Sequence, residues 1–241
     1  MVIEDKIVKR ILDIIDRKDI RVPEVFCNVD FDDFEDEIKD VLYAEGIEAT
    51  FSQGASKFVI IPADSDYVIK IPFTFCGDES DVEYYENNNE DDDDDWDDDA
   101  HPFRCNYCDE EDRIYEEAEE WEVEDAFSEL GMVKTTNTMQ CFYIQEKVVP
   151  IGDLYDCNFT KVKSPIDISK KTEEEYSKLD HWNSLNPTFV KAMIEFFGID
   201  FVMQFDDFLA ACEVSDLHDG NYGFRVSDNK PVIFDYGGYR E

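Results

Sequence analysis

The sequence predicts a mixed α+β fold, and three observations lead to that prediction. Apolar residues recur at helical spacing in residues 1–17 and again in 32–44, which indicates two amphipathic helices. From residue 47 the pattern changes to short runs rich in β-branched and aromatic residues, separated by turn-forming residues. The 241-residue chain is 43% hydrophobic and 14% aromatic, which is enough for a folded core.

The predicted elements follow one another in a simple order after the two helices. Strands at 47–51, 57–61 and 67–73 form an antiparallel meander, because the segments between them are rich in turn residues. A helix rich in Glu and Ala follows at 109–130 and ends at Gly131. The rest of the chain predicts two strands, three helices and a closing hairpin. The two strands lie at 133–136 and 139–149, and the three helices at 172–179, 187–197 and 200–212. The strands of the hairpin lie at 222–226 and 231–234.

The chain is strongly acidic. It has 61 Asp and Glu residues against 22 Lys and Arg, which gives a formal net charge of −39. Such a surface repels phosphates and anionic lipids, so we expect no direct binding to nucleic acid or to a membrane. Residues 77–100 contain 14 acids and no Lys or Arg, which predicts a disordered acidic insert. A different role for the same charge is to imitate nucleic acid toward a basic protein partner.

The ends of the chain and its cysteines indicate a cytoplasmic protein. The first residues carry acids instead of the basic start of a signal peptide, and no run of 18 apolar residues occurs. Seven scattered cysteines favour free thiols in a reducing compartment. Cys105 and Cys108 form one close pair, but zinc sites usually need a second matching pair, so ordinary cysteines are the preferred interpretation.

Three polar residues near the end of the chain have the chemistry that phosphoryl transfer requires. Asp216 precedes a Gly-containing loop, where a carboxylate can accept the proton of a substrate hydroxyl or orient it. Asn221 offers an amide oxygen to magnesium, and Asp235 follows an apolar strand from which its carboxylate can bridge magnesium and phosphate. Each residue alone also fits an ordinary turn, but together they predict a catalytic Asp216 and a metal site.

Lys70 is a second, independent signal. It lies inside an apolar run that is predicted to be a strand, so its ammonium group must either reach solvent or find an anion. The turn at Gly54, Ala55 and Ser56 can present backbone N–H groups to phosphates that Lys70 would also contact. The sequence leaves both alternatives for Lys70 open.

The helix after the acidic insert is expected to supply an acid that orients Lys70. We prefer Glu111, because it shares a helix face with Tyr115 and Ala118. Glu110 is the alternative, and either residue could instead be a solvated helix carboxylate.

The predicted strand at 139–149 runs into an extended connection. Its backbone groups near Glu146 and Val148 could pair with the edge of a purine, which predicts the position of adenine. An ordinary linker is the alternative interpretation of the same segment.

In their order along the chain, these positions resemble the protein-kinase-like superfamily. The motif that ends in Lys70 is similar to the strand-three lysine motif, residues 216–221 to the catalytic loop, and residues 235–237 to the Asp-Phe-Gly motif. Gly54 stands where the glycine loop lies, and Glu111 would be the acid of helix C. The residues of the loop at 216–221 are also similar to those of aminoglycoside and small-molecule phosphotransferases. The order of the motifs is similar to that of compact kinase-like proteins of bacteriophages.

The resemblance implies a bilobal fold. An N-terminal helical segment at 1–46 would precede a small lobe at 47–149, with a five-stranded antiparallel sheet and one helix. A reduced helical large lobe at 150–241 would lack an activation segment.

The resemblance also implies a function. ATP and Mg²⁺ would be the cofactors, and the γ-phosphoryl group would pass to a hydroxyl of a protein or a small molecule. The alternative is a pseudokinase-type binding or inhibitor protein, which could act on a host partner through its acidic surface. The location would be the host cytoplasm if the protein is encoded by a phage.

Overall fold

The computed structural model describes the greater part of the chain. The described residues are 5–22, 31–53, 57–72, 107–154, 164–179, 185–212, 214 and 217–236. Asp216, the turn at 54–56 and the acidic segment 77–100 lie outside these residues, so what the sequence predicts for them stays a prediction.

The chain forms two compact units. The N-terminal unit consists of Val2–Tyr107 and Met132–Ile144, and the C-terminal unit consists chiefly of Cys108–Gly131 and Gln145–Glu241. The two helices of the predicted N-terminal segment therefore belong to the same unit as the first strands.

In the N-terminal unit two helices precede three strands, as the sequence predicts. They are α1 (Lys6–Lys18), α2 (Phe31–Ala44), β1 (Ala49–Gln53), β2 (Lys57–Pro62) and β3 (Tyr67–Pro72). Asp5 caps α1, since its carboxylate accepts the N–H groups of Ile7 and Val8 at 2.8 Å. Gly46 has φ +72° and ends α2 as expected, because glycine adopts this left-handed backbone without strain.

A five-stranded antiparallel sheet forms the centre of the N-terminal unit, which confirms the predicted sheet. The strands β4 (Leu130–Lys134) and β5 (Cys141–Glu146) complete it in the order β1-β2-β3-β5-β4. One face of the sheet packs against the apolar sides of α1 and α2. The buried residues of this core include Ile11, Ile15, Ile38, Phe58, Ile60, Ile69 and Ile71.

The helix predicted at 109–130 is wrong in its second half. Helix α3 (Tyr107–Glu120) is followed by a left-handed residue, Glu122 at φ 56°, and the N–H of Val123 bonds to Ala118 O at 3.0 Å. Val123 is fully buried in the core of the C-terminal unit. We infer that burial of the apolar residues after the turn outweighs the helix propensity of the acidic residues around them.

After α3, the described part of the C-terminal unit contains three further α-helices and a second sheet. These elements are β6 (Val148–Pro150), α4 (Lys170–Tyr176), α5 (Pro187–Phe197), α6 (Ile199–Ala211), β7 (Tyr222–Arg225) and β8 (Pro231–Ile233). The closing hairpin β7–β8 is confirmed, but β6 joins it to give a three-stranded sheet in the order β6-β7-β8. The single strand predicted at 139–149 is therefore wrong, because it divides into two strands of different sheets.

The core of the C-terminal unit is rich in aromatic residues. Phe127 makes edge-to-face contacts with Phe205, Phe208 and Tyr236 at centroid distances of 5.5, 5.6 and 4.8 Å. Tyr222 packs on Phe189 at 4.6 Å, so the hairpin is held against α5. Among the described helices, none combines the length and the apolar character needed to cross a membrane.

Candidate functional site

Asn221 and Asp235 lie side by side at one end of the hairpin β7–β8. The backbone N–H groups of Phe234 and Asp235 both donate to Asn221 O, at 3.0 and 3.2 Å. Asn221 is 6% exposed and Asp235 is half-buried. The hairpin thus brings the two predicted magnesium ligands together, although 13 residues separate them in the sequence.

The short loop before β7 is held by its own backbone. The N–H of Asn221 donates to His218 O at 2.8 Å, and the N–H of Gly220 donates to His218 Nδ1 at 3.0 Å. Leu217 anchors the start of the loop in the core. The N–H of Gly152 donates to Asp219 O at 2.9 Å, which ties the loop to the chain after β6.

Asn186, Asp219 and Tyr222 form a hydrogen-bonded cluster beside Asn221 that the sequence analysis did not identify. The Tyr222 hydroxyl donates to Asp219 Oδ1 at 2.6 Å and accepts the N–H of Asn186 at 3.0 Å. The Asn186 amide donates to Asp219 Oδ2 at 3.4 Å. In the sequence, Asn186 followed by Pro187 is typical of the start of a helix. Nothing in the sequence pattern connects Asn186 with Asp219 and Tyr222, which lie 33 and 36 positions further along the chain.

Lys70 lies in the middle of β3 and is only 3% exposed. Its neighbours Ile69 and Ile71 point into the core under the helices, so Lys70 lies on the opposite face of the sheet. Of the two alternatives that the sequence left open, exposure of the side chain to solvent is excluded. Lys57 on β2 is also 3% exposed and, from the strand register, lies on the same face as Lys70.

Glu111 is fully buried on the inner face of α3, together with Ile114 and Ala118. Glu110 is half-buried and bonds to the guanidinium of Arg113 at 2.6 and 2.9 Å. Glu111 therefore faces inward from this helix, as the shared helix face predicts, and it is not a solvated carboxylate.

Tyr236, the residue directly after Asp235, lies in the core of the C-terminal unit. It is fully buried, and its hydroxyl donates to Ser128 O at 3.2 Å. Burial, followed by the charge of the nearby Glu111, raises the pKa of Tyr236 well above its ordinary value. The side chain that follows Asp235 thus lies close to the buried carboxylate of α3, within the same unit.

The segment at Glu146 and Val148 is joined to β7. The guanidinium of Arg225 bonds to Glu146 Oε2 at 2.5 Å, and Val148 pairs with Arg225 in the strand register. The N–H of Val226 donates to Lys147 O at 2.9 Å. In the segment that is predicted to contact adenine, the carbonyl of Lys147 therefore already accepts a hydrogen bond from within the protein.

Arg225 is also held by Asp228, with hydrogen bonds at 2.9 and 2.5 Å. The bond to Asp228, which outweighs desolvation by burial, and the bond to Glu146 raise the pKa of Arg225. The guanidinium therefore links the hairpin turn to the end of β5.

The remaining site predictions concern residues that the structure does not describe. Asp216, Gly54, Ala55 and Ser56 are among them. Cys105 is another, whereas Cys108 belongs to the described residues and is fully buried. Within the described parts of the chain, no three His, Cys, Asp or Glu side chains form a group suited to a metal ion.

A scan against protein-family models and a search of curated proteins find no match to this chain. The resemblance to the protein-kinase-like superfamily therefore depends on the residues themselves and stays a prediction.

Proposed function

We propose that the protein is an ATP- and Mg²⁺-dependent phosphotransferase that transfers the γ-phosphoryl group to a hydroxyl. The observation that carries the proposal is the backbone contact between Asn221 and Asp235, at 3.2 Å, at the end of one hairpin. It brings the residues that carry the Asn221 amide and the Asp235 carboxylate close together, and both groups have oxygen atoms that can bind a metal ion. Magnesium prefers oxygen ligands and is commonly held by one or two such side chains together with substrate phosphates.

Lys70 is the second support for this proposal. Lys70 is 3% exposed and lies on the face of β3 opposite to the helices, and a lysine in the interior of a protein is well placed to bind an anionic ligand. A lysine on an interior strand is a common ligand of nucleotide phosphates. In the proposed reaction Lys70 binds phosphate oxygens, and Asp216 accepts the proton of the acceptor hydroxyl or orients that hydroxyl.

Glu111 and Tyr236 support the metal ligands from within the protein. Tyr236 fixes the backbone directly after Asp235, because its ring is buried and its hydroxyl bonds to Ser128. Glu111 contributes a buried carboxylate on α3 of the same unit, close to Tyr236. A metal site is effective only when its ligands are held by such neighbours.

Calorimetric titration with ATP, in Mg²⁺ and in EDTA, tests the proposal. The wild-type protein should bind ATP more tightly with Mg²⁺. Asp235→Asn, Asn221→Ala and Lys70→Ala should each weaken the Mg²⁺-dependent binding by at least about tenfold, a factor that corresponds to about 1.4 kcal/mol.

Two matched controls use exposed residues of the same types. Asp207→Asn on α6 and Lys134→Ala on β4 remove the same charges at exposed positions. They should leave the affinity unchanged. Equal affinity in the wild type and in all five variants would overturn the proposal.

Transfer itself is measured with γ-labelled ATP and a panel of hydroxyl acceptors that includes proteins and aminoglycosides. Label should move to an acceptor in the wild type and should not move in Asp216→Ala. Tight Mg²⁺–ATP binding without transfer to any acceptor would instead identify a nucleotide-binding protein without catalytic activity.

A further inference from the structure

The backbone on either side of Asn221 is anchored at several points. Asn221 itself bonds through its N–H to His218 and through its carbonyl to Phe234 and Asp235. The carbonyl of Asp219 accepts the N–H of Gly152 at 2.9 Å, and the carbonyl of Tyr222 accepts the N–H of Ile151, also at 2.9 Å. These bonds fix the path of the chain, but none of them involves a side chain next to Asn221.

The side chains of Asp219 and Tyr222 add a second connection, to the start of α5. The Tyr222 hydroxyl lies between Asp219 Oδ1 at 2.6 Å and the N–H of Asn186 at 3.0 Å. Asn186 caps α5, since its Oδ1 accepts the N–H of Thr188 at 2.9 Å. The position of the loop is therefore coupled to the fixed end of a buried helix.

The Tyr222 ring cannot relax easily. It is 0% exposed and packs on Phe189 at a centroid distance of 4.6 Å. The Tyr222 hydroxyl is therefore held in one position. The Asp219 carboxylate, which accepts a short hydrogen bond from it, is held in place as well. Asp219 is two residues before Asn221 and Tyr222 is one residue after it, so the pair holds both flanks of the predicted metal ligand.

We propose that Tyr222 and Asp219 are positioning residues, which hold the Asn221 amide oxygen in the orientation that magnesium requires. The inference rests on the proposed function. Neither residue need touch the metal, and their effect passes through the backbone of Asn221. Loss of partners that orient a metal ligand typically lowers metal affinity by about 10–100-fold.

Manganese, titrated in the presence of ATP and observed by electron paramagnetic resonance, measures this effect directly. Tyr222→Phe keeps the buried ring and removes only the hydroxyl. Asp219→Ala removes the acceptor at a half-buried position. We expect each change to weaken manganese binding by about tenfold while ATP binding in EDTA stays the same.

The double variant distinguishes one network from two separate effects. Because both changes break the same hydrogen bond, the double variant should bind manganese within about twofold of the weaker single variant. Tyr176→Phe is the matched control, since its ring, which lies 5.0 Å from Lys191 Nζ, is retained, and its manganese affinity should be unchanged.

Failure of the inference and failure of the proposed function give different results. No manganese binding by the wild type overturns both. Normal binding by the wild type and by both single variants overturns only the positioning role. Hydrogen exchange at the Asn221 amide gives a readout without ligand: it should be faster in Asp219→Ala than in the wild type, and equal rates would also overturn the inference.

Discussion

The backbone N–H of Asp235 donates to the carbonyl of Asn221 at 3.2 Å, so two oxygen-bearing side chains are held at the same end of the β7–β8 hairpin. A hairpin fixes such a pair without help from a ligand, because its strand register sets which residues are neighbours. In the proposed function these two side chains bind magnesium, and a pair that the fold already holds together leads to a first prediction.

Magnesium and ATP together should raise the melting temperature of the wild-type protein. A ligand at a concentration of 100 times its dissociation constant stabilises the folded state by about 2.7 kcal/mol. In Asp235→Asn and Asn221→Ala the shift should fall to that seen with ATP in EDTA, whereas Asp207→Asn should keep the full shift. Differential scanning fluorimetry is sufficient, and a full shift in Asp235→Asn would contradict the assignment of that ligand.

Gly223 should tolerate no side chain. A Cβ at this position would lie 2.0 Å from Val149 O and 2.9 Å from Pro150 Cα, so β6 and β7 would have to separate. We expect Gly223→Ala to lower the free energy of unfolding by about 3 kcal/mol or more.

Gly220→Ala is the matched comparison for Gly223→Ala. Its Cβ would meet the exposed side chain of His218, at 2.8 Å from Cε1, and that side chain can move. The cost should be below about 1 kcal/mol. Urea unfolding of the two variants measures both values, and equal costs would show that the strands do not approach as closely as described.

Asp16 should make stability depend on pH in the acid range. Its carboxylate accepts the N–H groups of Thr136, Asn137 and Thr138, the last at 2.8 Å. Desolvation raises the pKa of Asp16, but these hydrogen bonds outweigh it and hold the pKa below the ordinary value of 3.8.

The direction of the pH effect on stability depends on whether Asp16 binds its proton more tightly in the folded or in the unfolded state. With its pKa depressed in the folded state, Asp16 stabilises the protein at pH values above 3.8, and the contribution is lost as the pH falls below that value. The difference in unfolding free energy between the wild type and Asp16→Asn should therefore shrink in acid. Asp13→Asn, an exposed position on the same helix, should show no comparable change, and parallel pH profiles for the two variants would refute the prediction.

Tyr236 should make the protein sensitive to alkali. Its pKa is raised above 10.0 chiefly by burial, so above that pH the unfolded chain loses this proton while the folded protein keeps it. Stability should fall as the pH rises past 10.0, and less steeply in Tyr236→Phe than in the wild type. At neutral pH Tyr236→Phe should cost about 1 kcal/mol for the lost hydrogen bond. Tyr43→Phe, at a position that is 86% exposed, is the control and should follow the wild type throughout.

Most local elements could be predicted from the sequence because their signals are local. Apolar spacing gave α1 and α2, glycine marked the end of α2, and the turn between two short apolar runs gave the closing hairpin. The end of α3 could not be predicted in this way. Residues near 122 have the composition of a helix, and only burial of Val123 and Phe127 in the core makes the chain leave it.

The same distinction between local sequence signals and tertiary packing applies to the predicted site residues. The residue types and their spacing selected Lys70, Glu111, Asn221 and Asp235 as candidates, because a charge within an apolar run and a polar residue in a turn can be recognised from the sequence alone. Only the tertiary structure decided that Lys70 and Glu111 are buried, that Asn221 and Asp235 share a backbone hydrogen bond, and that Tyr222 links Asp219 to Asn186. Burial and hydrogen bonds between distant residues depend on how the elements pack, and a linear pattern does not contain that information.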